Sequence, residues 1–248
     1  MTGSWTELFS AGHPSSKCEI LRMMTGKNAR RIALVAGATG LVGRSCLERL
    51  LAEDTYAQVR VLVRRSLELR HDKLDERRVD FDKLESVSPE PVDDVFIALG
   101  TTIKAAGSQE AFYKVDHDYI VATAKLGRRA GASRLALVSS IGAGGPAANF
   151  YLRVKGETER DVMALGYECV EIFRPGLLMG ERHEKRTGEA LGIAAMKVVG
   201  GAFFGPLRQY RPIEGADVAA AMVAALRAGE PGVHIRTFEA MMQKARSS

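Results

Sequence analysis

The apolar run Arg31-Ile32-Ala33-Leu34-Val35-Ala36 passes directly into Gly37-Ala38-Thr39-Gly40-Leu41-Val42-Gly43, and no other stretch narrows so far what this chain can become. Glycines at that spacing make a tight strand-to-helix turn whose bare backbone a phosphate can approach closely. The helix that follows offers unpaired N–H groups and the positive end of its dipole. Candidate pyrophosphate contacts are therefore Gly37, Thr39, Gly40, Leu41, Val42 and Gly43. Glycine turns also close ordinary strand-helix junctions, so this one takes its meaning from its surroundings.

From Arg31 onward, apolar strands alternate with helical patterns. Strands are expected at 32–36, 59–63, 79–81, 95–99, 135–139 and 169–173, and helices at 42–52, 115–131, 151–165 (closed by Gly166) and 217–227. That alternation predicts an α/β fold, a doubly wound parallel sheet of Rossmann-like type. The charge-dense stretch 64–78 reads as an exposed loop. Beyond Arg174-Pro175-Gly176 the pattern loosens at Gly200-Gly201, Gly205-Pro206 and Pro212, and a small C-terminal substrate lobe is expected over 177–212. Residues 1–29 carry no sustained periodicity and read as a tail before a single nucleotide-binding domain over 30–248.

Composition excludes several classes. With 46% hydrophobic and 26% charged residues the chain is neither disordered nor a membrane protein, and its most apolar stretches, 192–205 and 218–226, are too short to span a bilayer. The net charge of +5 comes from bases interleaved with acids, with no basic stripe carrying aromatics, so nucleic acid is not an expected partner. Three cysteines, Cys18, Cys46 and Cys169, without a Cys-x-x-Cys pair fit a reducing, cytoplasmic setting. The five histidines never stand four apart, and no metal site follows from their spacing.

About 20 residues beyond the glycine turn the second strand ends in Arg64-Arg65. An acidic residue there would bond an adenosine ribose hydroxyl. Two arginines instead suit a 2′-phosphate through charge-assisted, bidentate bonds, which favours NADP(H) over NAD(H). Asp80-Phe81 are placed to flank the adenine, and Leu99-Gly100-Thr101-Thr102 to line the cofactor at the carboxyl edge of the sheet. Tyr151 and Lys155, four apart, share one helix face, and the preceding strand delivers Ser139 and Ser140 to the same edge.

With Asn149-Phe150-Tyr151-Leu152-Arg153-Val154-Lys155-Gly156-Glu157 and Phe173-Arg174-Pro175-Gly176 added to these strings, the chain resembles the short-chain dehydrogenase/reductase superfamily over about 31–233. The resemblance is to its atypical NAD(P)-binding branch, near the Tat-interacting-protein-like oxidoreductases. It implies Tyr151 as general acid/base, Lys155 as the group that binds the nicotinamide ribose and lowers the tyrosine pKa, and Ser140 as the residue that orients a carbonyl, with Ser139 the alternative. Pro175 is then expected beside the nicotinamide. Many relatives place an Asn where Val115-Asp116-His117 stands here, and Asp116 is expected to act only as a helix-start carboxylate. The expected activity is hydride transfer to or from a small carbonyl or alcohol. An NADPH sensor with little turnover, and an epimerase or dehydratase on the same scaffold, are the alternatives.

Overall fold

The computed structural model describes residues 30–145, 149–180 and 205–246. Seven parallel strands form the central sheet: β1 (Arg31–Ala36), β2 (Tyr56–Val63), β3 (Leu74–Arg78), β4 (Asp94–Ile97), β5 (Arg134–Val138), β6 (Cys169–Phe173) and, last in the chain, β9 (Gly232–Arg236). Their order is β3-β2-β1-β4-β5-β6-β9. Chain direction across the sheet reverses beside β1, which pairs with β2 on one side and β4 on the other. The crevice at the carboxyl ends of β1 and β4 is where ligands of such sheets sit. A separate two-stranded pair joins β7 (Leu178–Met179) to β8 (Ile213–Glu214).

Successive strand residues face opposite sides, so each buried strand feeds two cores. On one side Val35, Val61, Ala136 and Phe173 meet α1 (Leu41–Ala52), α6 (Gly215–Ala228) and α7 (Phe238–Arg246) through Leu47, Leu50, Val218, Met222 and Met241. On the other side Leu34, Val95, Leu135 and Ile172 meet α4 (Tyr119–Arg129) and α5 (Phe150–Met163) through Ile120, Ala124 and Val162. Each fully buried Leu, Val or Ile contributes about 1.5–3 kcal/mol of hydrophobic stabilisation, and the two-sided burial makes the sheet the rigid platform of the molecule. The doubly wound Rossmann-like expectation holds.

Several boundaries are corrected. The third strand is Leu74–Arg78, inside the stretch read as an exposed loop, and not 79–81. Asp80 instead caps a 3-10 turn over Phe81–Ser86, its carboxylate accepting from the Asp82 N–H at 3.0 Å. β3 shows no apolar alternation because it is an edge strand held by charges: Arg60 of β2 reaches Asp75 at 2.8 Å and Glu90 at 2.9 Å, and Arg77 binds the same two acids. The fourth strand stops at Ile97, short of Leu99. A full helix is missing between β3 and β4, which leaves a cavity of about 330 Å³ over Leu34, Leu62, Val79, Val92 and Leu126. None of the expected site residues lines it.

The helix expected at 115–131 is a longer, composite one. Two short pieces, α2 (Ile103–Ala106) and α3 (Gln109–Tyr113), are capped by Thr102 and Ser108, and one π-helical turn, Lys114–Asp118, then joins α3 to α4. The last strand and α7 were not expected at all. The tail at 1–29 and the lobe residues Arg182, His183, Arg186, Phe203 and Phe204 lie outside the described residues.

Candidate active site

The glycine turn is built to contact. Gly37 has φ +93°, and a Cβ there would lie 2.5 Å from the Ala98 carbonyl carbon. A Cβ on Gly43 would lie 2.0 Å from the Gly37 carbonyl oxygen, so α1 can start only where it does with glycine at both positions. Gly40 is the N-cap of α1 and brings no side chain to its first N–H groups, and no acid occupies the first turn. Those donors and the dipole remain available to an anion. Thr39 and Gly40 are exposed, while the Val42 side chain is in the core and offers the site only its backbone. Leu41 packs beneath Gly180 and Gly215.

Arg64 and Arg65 stand exposed at the carboxyl end of β2 and form no ion pair among the described residues. The chain after them is pinned by Glu76 of β3, which accepts from the Leu67 N–H at 2.9 Å. Arg78, opposite Val63 in the register, ends β3 beside them and was not singled out from the sequence. Asp80 is exposed and engaged in its capping bond.

Across the crevice, Asn149 caps α5 by accepting from the Leu152 N–H at 3.0 Å. This cap sets Tyr151 in the first turn, half-buried, its ring 5.5 Å from Phe112. One turn on, Lys155 is only 5% exposed and its ammonium lies 2.7 Å from Asp116 Oδ1. Asp116 Oδ2 accepts from the Thr101 N–H at 2.8 Å, and its main-chain carbonyl accepts from Thr158 Oγ1 at 2.8 Å. Gly100 lies over the pair: a Cβ there would meet Asp116 Oδ1 at 3.4 Å and Lys155 Nζ at 3.8 Å. Asp116 is therefore no helix-start carboxylate. It is completely buried inside the π-helical turn and joins the loop after β4 to α5.

A second, part-buried pair fixes the same helix. Glu159 binds the Arg174 guanidinium through both carboxylate oxygens, with Arg174 Nε 2.9 Å from Oε1. The next residue, Pro175, is buried and its carbonyl accepts from the Ile141 N–H at 3.0 Å. The segment carrying Ser139 and Ser140 is thus tied to the segment carrying Pro175. The Ser140 hydroxyl is part-buried, with only a long 3.4 Å bond to the Ile141 carbonyl. Ser139 is buried, and its hydroxyl has no hydrogen-bond partner among the described residues.

Gly37, Gly100, Thr101, Tyr151, Lys155, Ser140 and Pro175 thus lie on segments that end at or border the carboxyl edge of the sheet. The residue that sequence reasoning placed wrongly is Asp116, and a signal for it existed: Phe112, Asp116 and Ile120 are spaced by four, so the acid falls in an apolar stripe, and all three are fully buried. Among the described residues no cysteine lies at this site. Cys46 and Cys169 are buried free thiols, and burial pushes them up to about 12 and about 11. Among the described residues one group of potential metal ligands exists, Glu171, Glu230 and His234, and the Arg236 guanidinium already binds both of its carboxylates.

A Gly-rich turn into an uncapped helix at the switch point of a doubly wound sheet, facing a Tyr-x-x-x-Lys helix, defines a nicotinamide-nucleotide-binding protein of the short-chain dehydrogenase/reductase type. The chain belongs to the NAD(P)H-binding family, whose model matches residues 37–228. Among proteins, it is 35% identical to protein HTATIP2 of Rattus norvegicus over 170 residues, 66% of this chain and 70% of that one. It is 37% identical to the mitochondrial protein FMP52 of Eremothecium gossypii over 195 residues, 77% of this chain and 87% of that one. Among solved structures, MoeE5 in complex with UDP-glucose and NAD superposes with a TM-score of 0.61 at 16% identity, covering 87% of this chain and 81% of that one. A short-chain dehydrogenase family protein from Francisella tularensis gives 0.60 at 16%, covering 80% and 91%. The atypical-branch resemblance is thereby established. The cytoplasmic expectation is overturned, because FMP52 proteins from several fungi at 37–39% identity are named mitochondrial. The three cysteines that suggested it report only reducing conditions, which are not confined to one compartment. No helix among the described residues is long and apolar enough to cross a membrane.

Proposed function

We propose that this protein is an NADP(H)-dependent oxidoreductase that interconverts a small carbonyl compound and its alcohol. The observation that carries the reading is the Tyr151–Lys155 helix face, anchored by one buried and one part-buried ion pair at the edge of the sheet where the glycine turn opens. The nicotinamide, when bound, supplies or accepts the hydride. The glycine turn and the bare start of α1 would hold the pyrophosphate, and Arg64 and Arg65 the adenosine 2′-phosphate. Lys155 would bond the nicotinamide ribose. Ser140 would orient the substrate oxygen, and Tyr151 would give that oxygen a proton in reduction and take it back in oxidation. The stretch 177–212 would supply the substrate lobe.

A second reading, an NADPH-binding protein with little turnover, draws support from the compensation of the Lys155 charge by Asp116. Calorimetric titration with NADPH and NADH separates the nucleotide part of the proposal from the rest. NADPH is expected to bind more tightly, and replacing Arg64 and Arg65 together by Ala to weaken NADPH by about ten- to a hundredfold while sparing NADH. Equal losses for both nucleotides would remove the 2′-phosphate role. A panel of small carbonyl compounds then decides between the readings: turnover that Tyr151→Phe abolishes with NADPH binding intact supports the enzyme, and no turnover by the unaltered protein supports the sensor.

A further inference from the structure

We infer that Asp116 is a positioning residue that holds Lys155 at the nicotinamide ribose, so that the grip on the nicotinamide half of the dinucleotide is set from the π-helical turn. The inference rests on the reading of the site proposed above. Three observations meet at this one carboxylate. First, Asp116 is fully buried and yet ionically paired, with Lys155 Nζ at 2.7 Å. A lysine head taken out of water needs such a partner or its burial is strongly unfavourable.

Second, the other oxygen, Oδ2, accepts the Thr101 N–H at 2.8 Å. The carboxylate is therefore fixed to the backbone of the loop after β4, and it cannot swing with the lysine. The Thr158 hydroxyl lies 2.8 Å from both the Asp116 carbonyl and the Val154 carbonyl of its own helix and shares its one proton between them, which holds the main chain on the opposite side. Lys155, an otherwise flexible four-carbon side chain, is thus tethered at its head to a rigid loop.

Third, Gly100 of the loop after β4 borders the pair, and a Cβ there would come within 3.8 Å of Nζ. The pair is an ion pair with no hydrogen bond on Asp116 Oδ1 among the described residues, and an ammonium carries three donors, from which a sugar hydroxyl would be served. Asp116 itself reaches no ligand in this arrangement. It acts through Lys155, by removing the rotamer freedom that the lysine would otherwise lose on binding. The π-helical turn adds a further indication, since such one-turn bulges recur at functional positions and here the bulge contains the residue in question.

The test compares two probes on the full chain by calorimetry. NADPH carries the nicotinamide ribose, and adenosine 2′,5′-bisphosphate carries only the adenosine half. Asp116→Asn keeps the shape and an acceptor while removing the charge; it is expected to weaken NADPH about tenfold and to leave the bisphosphate unchanged. Lys155→Met is expected to show the same split, and the double variant to lose no more than Lys155→Met alone, because the aspartate acts through the lysine. Equal loss of both probes in Asp116→Asn would mean a merely structural aspartate and would overturn the inference, as would unchanged NADPH affinity or additive losses. Should Asp116→Asn fail to fold, Lys155→Met together with Asp116→Glu carries the same comparison, with Glu expected to misplace the head and lose NADPH selectively. Failure of the unaltered protein to bind either probe would instead overturn the nucleotide reading itself, and the inference with it.

Discussion

Asp94 and Asp116 are both completely buried, both bonded to cations, and they stand at opposite edges of one sheet. At the amino edge Asp94 opens β4, and the first residues of three neighbouring strands converge on it: Tyr56 donates its hydroxyl at 2.7 Å, Arg31 lies at 3.5 Å, and Arg134 binds the other oxygen. Burial first, and then Asp94, raise the Tyr56 hydroxyl well above its ordinary pKa, so it stays a donor. Every partner there comes from the frame. At the carboxyl edge Asp116 has one backbone donor and one lysine, with Gly100 beside them. The same chemistry therefore does two jobs. A buried carboxylate on which the first residues of three strands converge locks those strands together, whereas one paired with a single lysine of a helix is placed to position that lysine.

The largest effect expected from this contrast is on stability at the amino edge. Asp94→Ala strands two guanidinium groups and a phenol, and urea unfolding should show a loss of about 3–5 kcal/mol, with nucleotide affinity of the folded fraction unchanged. A loss below about 1 kcal/mol would erase the distinction between the edges. Asp116→Asn should cost less in the same measurement, about 1–2 kcal/mol, because the amide keeps an acceptor for the Thr101 N–H and only one cation loses its partner, whereas Asp94→Ala takes the partner from two guanidinium groups and a phenol. A greater cost than at Asp94 would reverse the comparison.

The smallest effect lies at a third, exposed corner. Lys244, and then Arg236, hold the Glu230 carboxylate below the usual glutamate range. A depressed carboxylate contributes stability above its unfolded pKa and loses it as pH falls through the folded value. The slight advantage of the native protein over Glu230→Gln in melting temperature should therefore be present at neutral pH and vanish below about pH 4, and it should shrink in salt. An advantage that grew on acidification would contradict the pairing.

How far each region could be read from sequence follows the same physics. The glycine turn was legible because its constraint is local: Gly37 and Gly43 touch the backbone a few residues away, or the end of the adjacent strand. The buried strands were legible because both faces are apolar. β3 was not, since Arg60 pairs with Asp75 across it and charge takes the place of the alternation that marks a half-buried strand. The Tyr-x-x-x-Lys face was legible as a spacing within one helix. Its partner was not: Asp116 meets Lys155 only after β4, the π-helical turn and α5 have come together, and by sequence alone the acid reads as no more than a helix-start carboxylate. The same holds for Glu159 and Arg174, which lie on different elements.

The π-helical turn at Lys114–Asp118 has one more consequence. An α-helix advances about 100° per residue, so a straight helix through this segment would lock the direction of Asp116 to that of Tyr119 and Thr123. A wider turn inserts slack into that count. Upstream, Phe112 and Asp116 address α5; downstream, Tyr119 donates to Asp82 of the 3-10 turn and its ring meets Phe81. The segment works as a phase adjuster between two halves of one rod, each of which must satisfy a different neighbour. Removing a single residue from it would force the halves back into step, and the chain would have to choose between seating α4 on the sheet and keeping a carboxylate under the lysine.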